Sequence, residues 1–323
     1  MKHDWPLRTR APFHLEATVR VLQRRPLNRV DIWEDEAYRR ALATPEGVLL
    51  VETRNLGSVD QPDVRFAVLN GEPSLATRGF IAAALGRMLG LDVELAAVQP
   101  WAESVRGLRS TALALRGMRP PRFPTLFETF ASVVPFQQLS LDAGVSIVGR
   151  MVERFGAQLE VGGRRWLAFP EPEVIAQADI ESLRSLGLSR KKAETLQHLA
   201  ARIVSRQLTE ESVAALPTPE ALAALTEEPG IGPWSAAVVL LRGFGRTEVF
   251  PPSDTGVARG LGALLALDPG PISAVVAERF GERRGYLYFY SLGAQLLGRG
   301  LIKPAPLAEE ELEPRTKVGG GRK

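Results

Sequence analysis

The segment LTEEPGIGPWSAAVVLLRGFGRTEVFPPSDTGVARGL runs from Leu225 to Leu261 and carries more structural instruction than any other part of the chain. Pro229 stops one helical pattern, Gly230 and Gly232 permit a tight turn with positive φ, and Pro233 stands where a second helix begins. Such a turn leaves the amides of Gly230, Gly232 and the next turn pointing outward, a ready anion site that fits a DNA phosphate. Taken alone, PGIG reads first as an ordinary αα-hairpin, and only its context favours the anion site. Twenty-two residues after Gly232 comes Asp254, approached through Pro251 and Pro252 at the apparent start of another helix. It reads as an N-cap or as an exposed carboxylate beside the hairpin. The roles are compatible, since one oxygen can cap while the other faces a substrate.

Outward from this segment the chain divides. From about residue 121, helical spacings dominate, with helices expected near 125–134, 140–155, 172–186, 190–206, 218–226, 233–243, 255–266 and 286–298. The first 120 residues read as mixed strand and helix. Phe13, Leu15, Ala17, Val19 and Val21 alternate like a half-buried strand. GVLLVETRN (Gly47–Asn55) and VRFAVLN (Val64–Asn70) predict two more, joined by a turn-rich link. A helix through Ile81, Leu85, Met88 and Leu89 follows, and Leu91–Val98 suggests a further strand. The expected fold is α+β, with a sheet domain over 1–120 and a helical core over 121–302. The charged, Gly-rich stretch 303–323 reads as a disordered tail.

Composition narrows the function classes. The 323 residues carry 40 Lys+Arg against 37 Asp+Glu, a net charge of +3, so no long-range electrostatic funnel is implied. With no cysteine, disulfides, thiolate clusters and cysteine nucleophiles are excluded, and His3, His14 and His198 are too scattered for a metal cage. No cofactor or metal is called for. The start lacks a signal-peptide core and no apolar run approaches a membrane span. A cytoplasmic protein with no membrane partner is the expectation.

PGIGPWSA, LLRGFG and VFPPSDTG together resemble the helix–hairpin–helix DNA glycosylase superfamily, and within it the DNA-3-methyladenine glycosylase II (AlkA-type) branch. FPTLFETFASVVPFQQLSLDAG, GLSRKKAETLQHLA and the opening PFHLEATVRVL are similar to segments of that branch. The resemblance implies two helical subdomains behind the sheet domain and double-stranded DNA with damaged bases as partner, bound by a monomer. It implies that Asp254 is the catalytic aspartate and that Gly230, Ile231, Gly232 and Gln138 hold DNA. Leu139, after Gln137 and Gln138, falls where the family wedges the duplex, and filling the hole left by a flipped nucleotide suits an apolar side chain. Leu139 packed in the core of a helix–helix turn is the other reading. Trp234 stands where bifunctional relatives carry a Schiff-base lysine, so lyase activity is not expected. Trp234, Phe136 and Tyr286 are candidates for the base pocket, with core packing as the alternative for each. The branch often has a tryptophan two positions beyond Tyr290, where this chain has Leu292. Arg190, Lys191 and Lys192 read as a solvated helix start or as phosphate contacts.

One carboxylate with no companion acid suits a leaving base that needs no protonation. Glu248, the nearest candidate in sequence, reads as a solvated loop residue. The expected function is therefore a monofunctional glycosylase releasing alkylated purines such as 3-methyladenine and 7-methylguanine, for which aromatic faces offer cation–π attraction. The competing expectation is a non-catalytic helix–hairpin–helix module that binds DNA or senses damage.

Overall fold

The computed structural model describes residues 3–266 and 272–306. The chain begins with β1 (Asp4–Pro6), α1 (Leu15–Gln23), β2 (Ile32–Glu34), β3 (Ala37–Thr44), β4 (Gly47–Asn55), β5 (Val64–Val68) and α2 (Leu75–Met88). The strands form one antiparallel sheet in the order β1-β5-β4-β3-β2. In β4 the run Val48–Leu49–Leu50–Val51 is apolar without alternation because both faces are covered. Leu49 and Val51 join Tyr38, Leu42 and Phe66 beneath α1 and α2, whereas Val48 and Leu50 face Trp166 and Ala168 on the other side.

Then come α3 (Val98–Ser104), α4 (Arg109–Ala114), α5 (Leu126–Ala131), α6 (Leu141–Phe155), α7 (Pro172–Gln177), α8 (Ile180–Arg184), α9 (Arg190–Val204), α10 (Glu210–Ala214), α11 (Thr218–Thr226), α12 (Pro233–Gly243), α13 (Thr255–Leu265), α14 (Ile272–Phe280) and α15 (Arg284–Gly298). Two apolar cores organise them. One gathers α5 to α11 with residues 236–240 of α12. The other gathers α1, α3, α4 and α13 to α15, and takes Leu241 from the end of α12. This is the α+β arrangement with two helical subdomains that the sequence predicts.

Several elements differ from expectation. The strand predicted over Phe13–Val21 is the helix α1. Leu15, Val19 and Leu22 pack under the sheet, while Ala17 and Val21 enter the second helical core. Two apolar stripes on one helix interleave into an apparent alternation, and the polar stripe Glu16–Arg20–Arg24 keeps the four-residue spacing of a helix. The strand suggested over Leu91–Val98 is absent: turns through Ala97, and then the first residue of α3, carry the chain from the sheet's core, against which Leu91 packs, toward the second helical core, which holds Ala102. The single helix expected over 172–186 is broken into α7 and α8 because Asp179 caps a new start, accepting the Ser182 amide at 2.8 Å. The otherwise helical half contains one hairpin, β6 (Gln158–Val161) with β7 (Arg164–Leu167), turned by Gly162 and Gly163 at positive φ and laid over the sheet's second face. Residues 303–306, read as the start of a tail, lie against the fold: the Ala305 amide donates to the Ala114 carbonyl at 2.8 Å, and the Lys303 carbonyl lies 2.9 Å from His14 Nε2. The remainder of that predicted tail, 307–323, lies outside the described residues.

Candidate active site

The hairpin joins α11 to α12. Gly230 adopts φ +84°, and a Cβ there would lie 2.0 Å from Thr195 Oγ1 on α9, so both conformation and space demand glycine. Gly232 starts α12 as a cap without a side-chain acceptor, which leaves the amides of that helix's first turn without a side-chain partner. Ile231 is buried in the first helical core, and its amide donates to the Glu228 carbonyl at 3.0 Å. Its side chain and its amide are both engaged in shaping the turn.

Asp254 lies at the N-terminus of α13, half-buried, after Ser253 turns the chain through a left-handed φ of 57°. Its Oδ1 accepts the Val257 amide at 2.9 Å, the cap foreseen in the sequence. Its Oδ2 accepts the Trp234 indole N–H at 3.0 Å. Trp234, on the first turn of α12, thus ties the carboxylate to the hairpin while its ring packs partly against the first helical core. Neither plain packing nor pocket lining anticipated that bond. Glu248 is turned elsewhere: its carboxylate accepts from Thr218 Oγ1 at the far end of the loop that leads to Asp254.

The third component is the turn Val134–Leu139 between α5 and α6. Its short 3-10 helix ends at Phe136, and Gln138 takes φ 56°. Leu139 is 44% exposed, which removes the core-packing alternative and leaves an apolar side chain in solvent beside Gln138. Two long side chains hold the turn. Gln137 Nε2 donates to the Gly230 carbonyl and to Ser235 Oγ, both at 2.9 Å. Lys192 Nζ donates to the carbonyls of Pro135 at 3.2 Å and Gln137 at 2.6 Å, and burial lowers its pKa. Lys192 therefore clamps this turn, which neither sequence reading of it anticipated.

Phe136 is half-buried, its ring so close to α6 that a Cβ on Gly144 would lie 2.4 Å from it. Tyr286 lies elsewhere: its ring packs on Trp101 of α3 at 6.4 Å, and burial raises its hydroxyl pKa. The aromatic of α15 that reaches toward Phe136 is Tyr288, through Arg24. Arg24 NH2 donates to the Tyr288 hydroxyl at 2.6 Å, and the guanidinium sits 5.3 Å over the Phe136 ring. The four-residue stripe of α1 was the signal that could have found Arg24. Among the described residues no group of three or more acidic or histidine side chains could hold a metal, and no helix is long and apolar enough to cross a membrane.

Chemically, the arrangement offers a fixed carboxylate, a helix start with open amides and an exposed apolar side chain, connected to one another by Trp234 and Gln137. Comparison with known proteins adds to this. Residues 131–283 match the family model described as HhH-GPD superfamily base excision DNA repair protein, and residues 5–124 match that of the AlkA N-terminal domain. The chain is 29% identical over 203 residues to a DNA-3-methyladenine glycosylase of Bacillus subtilis, covering 62% of this chain and 67% of that protein. It is 27% identical over 255 residues to DNA-3-methyladenine glycosylase 2 of Escherichia coli, covering 77% and 84% respectively. The fold is similar to that of the 3-methyladenine DNA-glycosylase from Archaeoglobus fulgidus, with a TM-score of 0.76, 25% identity, and coverage of 90% of this chain and 98% of that one.

Proposed function

The chain belongs to the HhH-GPD superfamily of base excision DNA repair proteins, with an AlkA N-terminal domain ahead of that core, and from that premise we propose that it is a monofunctional DNA glycosylase. Its substrates on this reading are alkylated purines, 3-methyladenine and 7-methylguanine, flipped out of duplex DNA. The observation that carries the reading is the Asp254 carboxylate held from two sides, by the Val257 amide and the Trp234 indole.

Breaking the bond between base and sugar builds positive charge on the deoxyribose. A carboxylate fixed before that charge develops stabilises it without reorganising, and the same oxygens can orient the attacking water. The open amides at the start of α12 would grip a backbone phosphate, which is worth most where the helix dipole adds to them. Leu139 would fill the space vacated by the extruded nucleotide, and its exposure supports that role. A cationic methylated purine leaves as a neutral base, so this reading calls for no acid beside Asp254. Trp234 cannot form an imine, and Lys192 is engaged with two carbonyls, which supports hydrolysis without strand nicking.

Asp254→Asn keeps the shape and removes the charge. Release of 3-methyladenine and 7-methylguanine from methylated duplex, followed by chromatography, should fall by about 100-fold or more, with binding to abasic-site DNA retained. Unchanged release would remove Asp254 from the chemistry. Wild-type binding to damaged duplex without any base release would instead favour the non-catalytic module. Borohydride should trap no covalent adduct.

A further inference from the structure

Two neighbouring arginines, one of them over the Phe136 ring, have no place in the reaction above. Arg24 ends α1 with φ 61° and ψ −39°, a left-handed conformation that a non-glycine residue holds only under tertiary constraint. Its guanidinium lies over the Phe136 ring and donates to the Tyr288 hydroxyl, and its Nε is buried without an acceptor. Arg242 on α12 is fully buried, with its guanidinium 4.8 Å from the centre of the Phe123 ring and beside the Tyr288 hydroxyl. Burial, followed by the neighbouring charge of Arg24, lowers the pKa of Arg242 to about 9. Among the described residues, neither arginine forms an ion pair.

A buried donor without an acceptor, as at Arg24 Nε, is costly, and so is holding two guanidinium groups close together in the interior. Their position gives the cost a meaning. Phe136 precedes Gln137, which bonds Ser235 next to Trp234. Tyr288 shares α15 with Ser291, whose hydroxyl donates to the Val257 carbonyl in the first turn after Asp254. Arg24 thus spans two elements that are each bonded to a neighbour of the Trp234–Asp254 pair. It also occupies the Phe136 face that a cationic base would otherwise use, so charge alone does not select the base there.

We propose that Arg24 is a specificity-determining residue of this site, donating a hydrogen bond to the oxygen at C6 of an extruded purine, with Tyr288 orienting its guanidinium. The proposal rests on the glycosylase reading and refines it. A 6-oxo purine supplies the acceptor that the arginine side lacks, and a 6-amino purine brings a further donor against it. Bases with a C6 oxygen, 7-methylguanine and hypoxanthine, are then preferred over 3-methyladenine, which carries an amino group at C6.

The test compares wild type with Arg24→Ala and Arg24→Lys on duplex DNA methylated so that it holds both 7-methylguanine and 3-methyladenine, and on a duplex with a single hypoxanthine. In Arg24→Ala, release of 7-methylguanine and hypoxanthine should fall at least tenfold, with 3-methyladenine unchanged or faster. Arg24→Lys, which keeps the charge and loses the fork, should fall between. A common drop in all three bases, or an unchanged ratio, would overturn the proposal, as would a wild type that releases 3-methyladenine but neither 6-oxo base. A wild type that releases no base from either duplex would instead defeat the glycosylase reading on which it stands. If the alanine variant melts early, the base ratio of the lysine variant decides.

Discussion

The hydrogen bond from the Trp234 indole to Asp254 Oδ2 gives the tryptophan a task that its place in the sequence does not reveal. It is a positioning residue, acting through the carboxylate. Trp234→Phe keeps the ring and removes the N–H, so single-turnover base release should slow by roughly 10- to 100-fold, the scale of one charge-assisted hydrogen bond. Affinity for abasic-site DNA should not move, and a parallel loss of both would mean that the indole only packs. Gly230 is constrained in another way. Its φ of +84° and the 2.0 Å approach to Thr195 Oγ1 make Gly230→Ala strained and clashing at once. A loss of about 1–3 kcal/mol in urea denaturation is expected, and an alanine variant as stable as wild type would show that the hairpin relaxes. Gly230 was legible from the sequence because glycine's freedom is local. Trp234's partner was not, because that bond closes across 20 residues.

Leu139, Gln138 and Phe136 occupy one short turn, and its geometry is imposed by neighbouring elements. Gln137 ties it to the α11–α12 hairpin, and Lys192 ties it to the start of α9. An exposed side chain contributes little to folding, so Leu139→Ala should leave the melting temperature within about 1–2 °C. Excision from duplex should nonetheless drop by about tenfold or more, with a smaller effect on single strands, since only stacked DNA leaves a gap to fill. Equal effects on both substrates would show that Leu139 is no wedge. Lys192 defeated sequence reading for a physical reason. SRKKA at a helix start is the pattern of a solvated cationic turn, and only the approach of a foreign turn with two open carbonyls converts the ammonium into a clamp. The α1 misreading has the same origin: a helix shared by two cores is apolar on two stripes, which erases the one-sided period that identifies helices.

At the scale of the molecule, the sheet and the helical core meet over a buried charged cluster. Arg40 of β3 donates to Asp31 at 2.7 Å and to Glu128 of α5, and Tyr38 donates to Asp31 at 2.7 Å. Burial raises the Glu128 pKa to about 7, against the pull of Arg40 and with the charge of Asp31 adding to the rise. The folded state therefore keeps a proton that the unfolded chain, with a carboxyl near 4.5, has already released. This group favours folding at low pH and loses that contribution as pH rises through about 7. Relative to Glu128→Gln, wild type should lose roughly 2–3 kcal/mol of unfolding free energy between pH 5 and 8, measured by urea denaturation at both. A difference that stays flat or grows with pH would show that Arg40 holds the carboxylate ionised throughout.

What the chain determines by itself is local: glycine and proline punctuation set the hairpin, and the Asp254 cap, the strands β4 and β5, the helix α2 and the absence of thiol chemistry all follow from adjacent residues. The tertiary structure decided which face of α1 meets which core and that a hairpin covers the sheet's second side. It also decided that Lys192 and Gln137 fix the exposed turn, that Trp234 reaches the Asp254 carboxylate from α12, and that Arg24 bridges Phe136 and Tyr288. Backbone conformation is limited residue by residue by sterics, so it can be read along the sequence. Hydrogen bonds and burial between elements depend on where distant segments come to rest, and no local pattern encodes that.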